Sequence, residues 1–333
     1  MIQRNRLDPA DLEALIAQTG DRLGIDPRFI EKDYWVVAVI RSLSAPVAGV
    51  TPVLKGGTSL SKAWHLTQRF SEDVDISLVR PDTSMSRGAR DRALKQAAAH
   101  VAAAFELTEG SGGPGTWGLE ETQAKHGVYR NVRYRFEELL PLPGSGPSPI
   151  SQGVLLEMAI RDPDDLHWEM ATIEPFITVT ARELDPDFTS PDLDPVVIPV
   201  LRRERTLFEK IAHVHQVVSR YPEGGTERRL RQIGRHYYDI HSLLSDETTL
   251  QLLREPDAAI RLTEEADALS EKAGYPYVPR PAGGFADSPA FDPNHPAMAV
   301  VQPSYETALR LVFGDAPSLD DCLVRIHEHA DVL

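Results

Sequence analysis

Two aspartates separated by one residue are the side chains of this sequence best suited to chemistry. Asp73 and Asp75 alternate with Val74 and Ile76 in a segment that predicts a β-strand, so both carboxylates point to one face of that strand. Carboxylates together with phosphate oxygens are ligands that Mg²⁺ prefers. The pair therefore predicts a metal-assisted reaction at a phosphate, although Asp-x-Asp is also common on solvated strand faces.

A turn of small residues precedes the aspartates by one predicted helix. It consists of Gly56, Gly57, Thr58 and Ser59. Glycines let the backbone approach a ligand closely, and the N–H groups at the start of a helix hold phosphate well. Thr58 or Ser59 could equally serve only to cap the helix. The order of turn, helix and paired carboxylates is more specific than any of these parts, and it predicts binding of a nucleoside triphosphate.

A third carboxylate is expected from a neighbouring strand, because two Mg²⁺ ions at a transferred phosphate need several oxygen ligands. Glu157 lies inside the apolar run 154–160 and is the first candidate, with Asp162 as the alternative. An exposed position on an edge strand would also explain a glutamate there.

The sequence around these residues closely resembles the AbiEii/AbiGii toxin family of nucleotidyltransferases, within the DNA polymerase β-like superfamily, and it is similar to the MenT-type toxins. The resemblance covers most of the chain and is carried by the segments 31–35 (EKDYW), 55–62 (KGGTSLSK), 69–77 (RFSEDVDIS), 206–211 (TLFEKI), 235–240 (RHYYDI) and 284–291 (GFADSPAF).

The resemblance implies roles for individual residues. Gly57 and Ser59 would contact the triphosphate, and Asp73 and Asp75 would bind Mg²⁺. Lys210 would neutralise phosphate charge, and Asp239 would act as a base or would organise Lys210. The residues alone leave other interpretations open, since Lys210 could be a surface lysine and Asp239 could pair with Arg235 one helical turn away.

The activity that the resemblance implies is a toxin-type, Mg²⁺-dependent transfer of nucleotide from a nucleoside triphosphate to an acceptor. The preferred acceptor is the 3′ end of tRNA, which would block translation, and a cognate antitoxin is the expected partner. The alternatives are transfer to a protein or small molecule, and a catalytically silent nucleotide-binding module. Ser71 precedes the aspartates and is a candidate regulatory site, because a phosphate there would add about two negative charges.

The predicted fold class is α+β. Residues 1–200 are predicted to form a polymerase β-like nucleotidyltransferase domain with a mixed sheet. Residues 201–333 are predicted to form a mainly helical domain that completes the active site. Strands are predicted at 50–54, 74–79, 128–136, 153–160 and 173–181, with loops at 110–118 and 141–149. Helices are predicted to begin at Asp8-Pro9 and Asp26-Pro27, to follow the glycine turn through Leu66, and to cover 86–107, 206–219, 230–244, 258–273, 305–313 and 319–329.

Composition limits the compartment and the partners. Cys322 is the only cysteine, so an intrachain disulfide or a thiolate metal cluster is excluded. Neither a signal peptide nor a membrane span is predicted, and a cytoplasmic protein is expected. The net charge of −15 opposes broad binding to nucleic acid. The stretch 201–236 is the exception, with nine Arg or Lys against four Glu. It predicts either local phosphate recognition or a solvated helical face.

Overall fold

A computed structural model describes residues 7–105, 118–136, 139–140, 151–223, 226–273 and 278–333. The chain forms two compact units. One spans Phe70–Leu201 together with the chain up to Ala63, and the other combines Trp64–Arg69 with Arg202–Leu333. We call them the sheet unit and the helical unit. The loops predicted at 110–118 and 141–149 lie, apart from Gly118, outside the described residues.

The sheet unit is built on a seven-stranded mixed sheet in the order β3-β4-β5-β2-β1-β7-β6. Its strands are β1 Thr51–Lys55, β2 Asp73–Val79, β3 Gly118–Lys125, β4 Tyr129–Arg135, β5 Val154–Arg161, β6 Trp168–Ile173 and β7 Val196–Leu201. The pairs β2–β5 and β1–β7 are parallel, whereas the other neighbours are antiparallel. The mixed sheet confirms the predicted α+β class.

The helices of the sheet unit are α1 Pro9–Leu23, α2 Pro27–Ser42, α3 Gly56–Thr58, α4 Arg87–Ala104 and α5 Ile177–Leu184. Asp8 and Asp26 cap α1 and α2, and a proline follows each at the first helical position, as the sequence predicts. Helix α2 is buried almost continuously from Phe29 to Ile40. It therefore lies in the interior of the unit rather than on its surface.

The strand predicted at 173–181 is wrong: most of this segment forms helix α5, and the strand before it, β6, ends at Ile173. The β-branched residues 177–180 favour a strand by propensity, but that preference is weak compared with packing. As a helix the segment buries Ile177 and Ala181 on one face, and the Thr180 hydroxyl lies 2.9 Å from that of Thr19 on α1. Tertiary contacts thus decide its structure.

The helix predicted through Leu66 is shorter than expected. A π-helical turn, Ser59–Ala63, follows α3 directly, and His65 adopts a positive φ of 53°, which a right-handed helix does not tolerate. The chain leaves the sheet unit at this point.

The helical unit contains α6 Arg203–Val218, α7 Thr226–Leu230, α8 Gly234–Leu244, α9 Glu247–Leu253, α10 Ala258–Ala273, α11 Met298–Ala308 and α12 Leu319–Glu328. The helix predicted at 230–244 is broken before Gly234, because the backbone there packs against Ser304; a Cβ at Gly234 would lie 2.4 Å from the Ser304 carbonyl carbon. Ser318 caps α12, which was predicted over 319–329, and forms a capping box with Asp321.

Candidate active site

The two aspartates lie on β2, and the structure brings Glu157 beside them. Asp75 and Glu157 are direct partners in the parallel β2–β5 pair, so their side chains leave the sheet on the same face. Burial, together with the negative charges of Asp75 and Asp73, raises the pKa of Glu157 to about 7. Glu157 is therefore close enough to both aspartates to be repelled by their charges.

Like-charge crowding of this kind is the arrangement that a bound cation relieves. Asp73, Asp75 and Glu157 offer only hard oxygen ligands, which suit a divalent ion such as Mg²⁺. Glu157 also accepts a hydrogen bond of 2.6 Å from the Asn131 side chain, which orients its carboxylate. Over the described part of the chain, no group of three His, Cys, Asp or Glu side chains is already gathered as a metal cage. Together with oxygens of a bound phosphate, the three carboxylates would supply ligands of the kind that such an ion prefers.

The glycine turn lies against the carboxylate of Asp75 and the backbone of Asp73. Gly56 has a φ of +73°, and a Cβ added there would lie 2.1 Å from Asp75 Oδ2, so only glycine leaves room for this carboxylate. The Thr58 hydroxyl donates to the Asp73 carbonyl oxygen at 2.6 Å, and the Ser59 hydroxyl donates to the Gly56 carbonyl oxygen at 2.8 Å. Both hydroxyl protons therefore already have acceptors within the protein. Backbone N–H groups at the start of a helix, here α3, are of the kind that can bind a phosphate.

The alternative carboxylate, Asp162, is engaged elsewhere. It forms an ion pair with Arg80, whose backbone N–H also donates to the Arg161 carbonyl oxygen.

Ser71, the candidate regulatory residue, is half-buried and lies two residues before Asp73.

A second group of charged residues lies in the core of the helical unit. Lys210 on α6 places its ammonium 2.8 Å from Asp239 Oδ2 on α8, and the guanidinium of Arg69 binds both oxygens of the same carboxylate at 2.6 and 2.7 Å. Lys210, Arg69 and Asp239 are all at least 92% buried. Two buried cations thus share one buried carboxylate, a group that we call the Asp239 cluster.

Electrostatics fix the charge states of the Asp239 cluster. Burial alone would raise the pKa of Asp239, but the charges of Arg69 and Lys210 outweigh it and hold this pKa well below its usual range. Burial lowers the pKa of Lys210, whereas Asp239 opposes that shift. Burial, followed by the charge of Lys210, also holds the pKa of His236 well below its usual range, so His236 stays neutral.

The structure decides between the interpretations that the sequence left open for this cluster. Lys210 is not a surface lysine, and the carboxylate of Asp239 is bound by Arg69 and Lys210. Arg69 was missed by the sequence reasoning, although it opens the segment that carries Asp73. Tyr238, the neighbour of Asp239 on α8, is buried and accepts a hydrogen bond of 3.1 Å from the Gln68 backbone N–H.

Most of the basic stretch 201–236 is neutralised inside the helical unit. Ion pairs join Arg202 to Glu204, Arg203 to Asp246, Arg205 to Glu265, Arg220 to Glu223 and Arg231 to Glu227. Arg228 and Arg229 on α7 are exposed and form no ion pair with the described residues.

A sequence model of the nucleotidyl transferase AbiEii toxin family, type IV toxin–antitoxin system, matches residues 39–325, which assigns the α+β chain to the nucleotidyltransferases. The protein belongs to the AbiEii nucleotidyltransferase toxin family, and the resemblance noted in the sequence is confirmed. Enzymes of this family generally use a divalent metal ion.

The search of curated proteins gave no match to the chain. Among solved structures, the chain is similar to MenT4, a nucleotidyltransferase toxin from Mycobacterium tuberculosis H37Rv, at 15% identity and a TM-score of 0.44; the alignment covers 98% of this chain and 97% of MenT4. None of the described helices is both long enough and apolar enough to cross a membrane.

Proposed function

We propose that this nucleotidyltransferase toxin uses Mg²⁺ and a nucleoside triphosphate to add nucleotide to the 3′ end of tRNA in the cytoplasm, which blocks translation until a cognate antitoxin counteracts it. The observation that carries the proposal is the register of Asp75 with Glu157, beside the glycine turn that contacts Asp75. The arrangement supports the proposal because carboxylates that could hold a metal ion lie beside a glycine turn that could bind phosphate.

In this proposal the carboxylates of the sheet unit bind the metal ion. Asp73, Asp75 and Glu157 would hold Mg²⁺, which supplies charge stabilisation at the reacting phosphate. Gly56, Gly57, Thr58 and Ser59 would bind the triphosphate, chiefly through backbone N–H groups, because the two hydroxyl protons already have acceptors. The acceptor hydroxyl would attack the α-phosphate, and pyrophosphate would leave.

The Asp239 cluster has the second role in this proposal. Lys210 would neutralise phosphate charge, and Asp239 would hold the Lys210 ammonium in place. Asp239 is a poor candidate for a general base, because its very low pKa makes its carboxylate a weak proton acceptor. We propose that the helical unit serves the same reaction as the carboxylates, as the family resemblance implies.

The alternative acceptor is a protein hydroxyl or a small molecule, and the net charge of −15 favours it over a long RNA footprint. A silent nucleotide-binding module is the alternative of a different class. It has no need of a carboxylate whose pKa is raised by burial and by the charges of two neighbouring aspartates, as that of Glu157 is.

One experiment separates these possibilities. Purified protein is incubated with total tRNA, Mg²⁺ and each labelled nucleoside triphosphate, beside an Asp75→Ala variant. Label on tRNA that disappears in Asp75→Ala is the expected result. Label on protein alone would support the alternative acceptor, and triphosphate binding without any transfer would support the silent module.

Ser71 is proposed as a control point of the same site. A phosphate on its hydroxyl would place about two negative charges two residues from Asp73, where carboxylates already repel one another. We expect Ser71→Asp to reduce nucleotide transfer sharply, whereas Ser71→Ala should retain it. Near-normal turnover by Ser71→Asp would contradict this proposal.

A further inference from the structure

Helix α2 carries three consecutive charged residues in the interior of the sheet unit. Glu31, Lys32 and Asp33 are only 4, 7 and 6% exposed. Buried charges are costly unless each is paired and hydrogen-bonded, so their partners are specific contacts rather than incidental ones. The function proposed above assigns no role to these residues.

Asp33 contacts the π-helical turn that directly follows the glycine turn. Its Oδ1 lies 2.6 Å from the ammonium of Lys62, and its Oδ2 accepts a hydrogen bond of 2.8 Å from the Phe176 backbone N–H. Lys62 belongs to the π-helical turn Ser59–Ala63, which continues directly from α3. Both oxygens of Asp33 are therefore used, and one of them holds the segment that carries the proposed triphosphate contacts.

Lys62 is enclosed on a second side as well. Its ammonium lies 3.8 Å from the centre of the Phe176 ring, and the residue is 6% exposed. A cation over an aromatic face and beside a carboxylate is already solvated by the protein. A lysine that follows a Gly-Gly-Thr-Ser turn could be expected to bind phosphate, but this ammonium is directed into α2 and α5.

Lys32 makes the corresponding contact to the strand that carries Glu157. Its ammonium donates to the Ser151 carbonyl oxygen at 2.9 Å and to the Gly153 carbonyl oxygen. Gly153 immediately precedes β5. Adjacent residues of one helix thus hold the glycine turn and the start of β5.

We propose that Asp33 is a positioning residue for the triphosphate-binding turn, that it acts through Lys62, and that Lys62 is a structural support rather than a phosphate ligand. This inference rests on the proposed nucleotidyl transfer. The backbone N–H groups of α3 bind a phosphate only where the turn places them, and an error of about 1 Å can cost up to about 100-fold in rate. The ion pair between Asp33 and Lys62, in the π-helical turn that follows α3, fixes that placement.

The test compares Asp33→Asn, Lys62→Met and the double variant with the wild type. Asn retains an oxygen to accept from the Phe176 N–H, and Met fills the space of the lysine stem without its charge. For each protein, KM for the triphosphate and kcat are measured at saturating Mg²⁺ and acceptor, together with Tm. Thr180→Val is the control, because it removes a buried hydrogen bond to Thr19 in the same unit without contacting the turn.

We expect both single variants to raise KM for the triphosphate by a similar factor, about 10-fold or more. The double variant should recover much of the lost Tm, because it leaves no unpaired buried charge, but it should keep the raised KM. Thr180→Val should lower Tm and leave KM unchanged. If the ion pair only stabilised the fold, the single variants would lower Tm, and KM would not stay raised in the double variant once Tm had recovered.

The contrary outcomes are distinct. If Lys62→Met raises KM but Asp33→Asn does not, Lys62 binds phosphate directly and the inference is wrong. A KM equal to that of the wild type in both single variants would also overturn it while leaving the proposed function intact. If the wild-type protein transfers no nucleotide to any acceptor, the proposed function itself has failed, and the inference falls with it.

Discussion

Asp239 binds two buried cations in the core of the helical unit. Its carboxylate is shared by Lys210 and Arg69 in the Asp239 cluster, and both of its oxygens are bound. Removing one partner of a buried ion pair leaves an uncompensated charge, which typically costs about 3–5 kcal/mol. We expect Asp239→Asn to lower the free energy of unfolding by about this amount, measured by urea denaturation. Arg231→Gln, which breaks an exposed pair, should change it by under about 1 kcal/mol.

The same residue gives a pH dependence whose sign follows from its pKa. The folded-state pKa of Asp239 lies far below the ordinary value of 3.8, so its contribution to stability is complete above that value and is lost as the pH falls towards the folded-state pKa. Wild-type stability should therefore fall more steeply below about pH 4 than that of Asp239→Asn, which has no group to protonate there. Parallel curves of Tm against pH for the two proteins would contradict this assignment.

Glu157 allows a prediction about metal binding. Its carboxylate is crowded by Asp75 and Asp73, and a cation would relieve that repulsion. Glu157→Gln keeps the shape and the contact with Asn131 but removes one negative charge. We expect the variant to need a higher Mg²⁺ concentration for half-maximal transfer, by about 10-fold for the loss of roughly 1.4 kcal/mol. Asp162→Asn is the matched control, since Asp162 pairs with Arg80, and it should leave the Mg²⁺ requirement unchanged.

At the scale of the element, the glycine turn is held to one backbone conformation by the carboxylate beside it. Gly56→Ala would add a Cβ 2.1 Å from Asp75 Oδ2 and would also strain a φ of +73°. Gly24→Ala is a close control, because its φ is +65° and nothing lies within 4 Å of the added Cβ. Both variants should lose about 1 kcal/mol of stability from the backbone alone.

Only Gly56→Ala should displace the Asp75 carboxylate. We therefore expect it to reduce kcat/KM for nucleotide transfer by at least about 100-fold, while Gly24→Ala retains wild-type kinetics. Equal activities in the two variants at matched stability would show that the close approach of Gly56 to Asp75 has no part in the reaction.

The strands and helices also show which features a local sequence pattern can predict and which it cannot. The alternation around Asp73 is local, so it predicts both the strand and the shared face correctly. Residues 177–180 favour a strand by their own propensity, and only the contact of α5 with α1 makes them helical. Pro199 conceals β7 for a different reason: a strand that pairs with a neighbour on each side is not expected to contain a proline.

The residues of the candidate site also differ in whether a local sequence pattern could predict them. Glu157 could be proposed because a glutamate in an apolar run needs an explanation, and the β2–β5 register supplies one. Lys210 and Asp239 came from the family resemblance, since no local pattern marks them. Arg69 was missed because its partner lies 170 residues away, and pairing over that separation is a property of the folded unit.

At the scale of the whole molecule, charge decides how an acidic protein would hold tRNA. The net charge is −15, and most arginines of the stretch 201–236 are neutralised by carboxylates of their own unit. A broad basic face is therefore not available there, and only a small number of phosphate contacts is expected. Recognition would then depend on the acceptor end of the RNA rather than on a long footprint.

Arg228 and Arg229 test this view, because both are exposed and neither pairs with a described residue. Each phosphate contact adds about 0.7–0.9 to the slope of log K against log salt concentration. We expect Arg228→Ala/Arg229→Ala to lower that slope for tRNA binding by about 1 to 2. Arg254→Ala/Arg261→Ala removes the same charge from arginines that pair with Glu247 and Glu255, and it should leave the slope unchanged. If both double variants shift the slope equally, tRNA responds only to net charge, and α7 is not its binding surface.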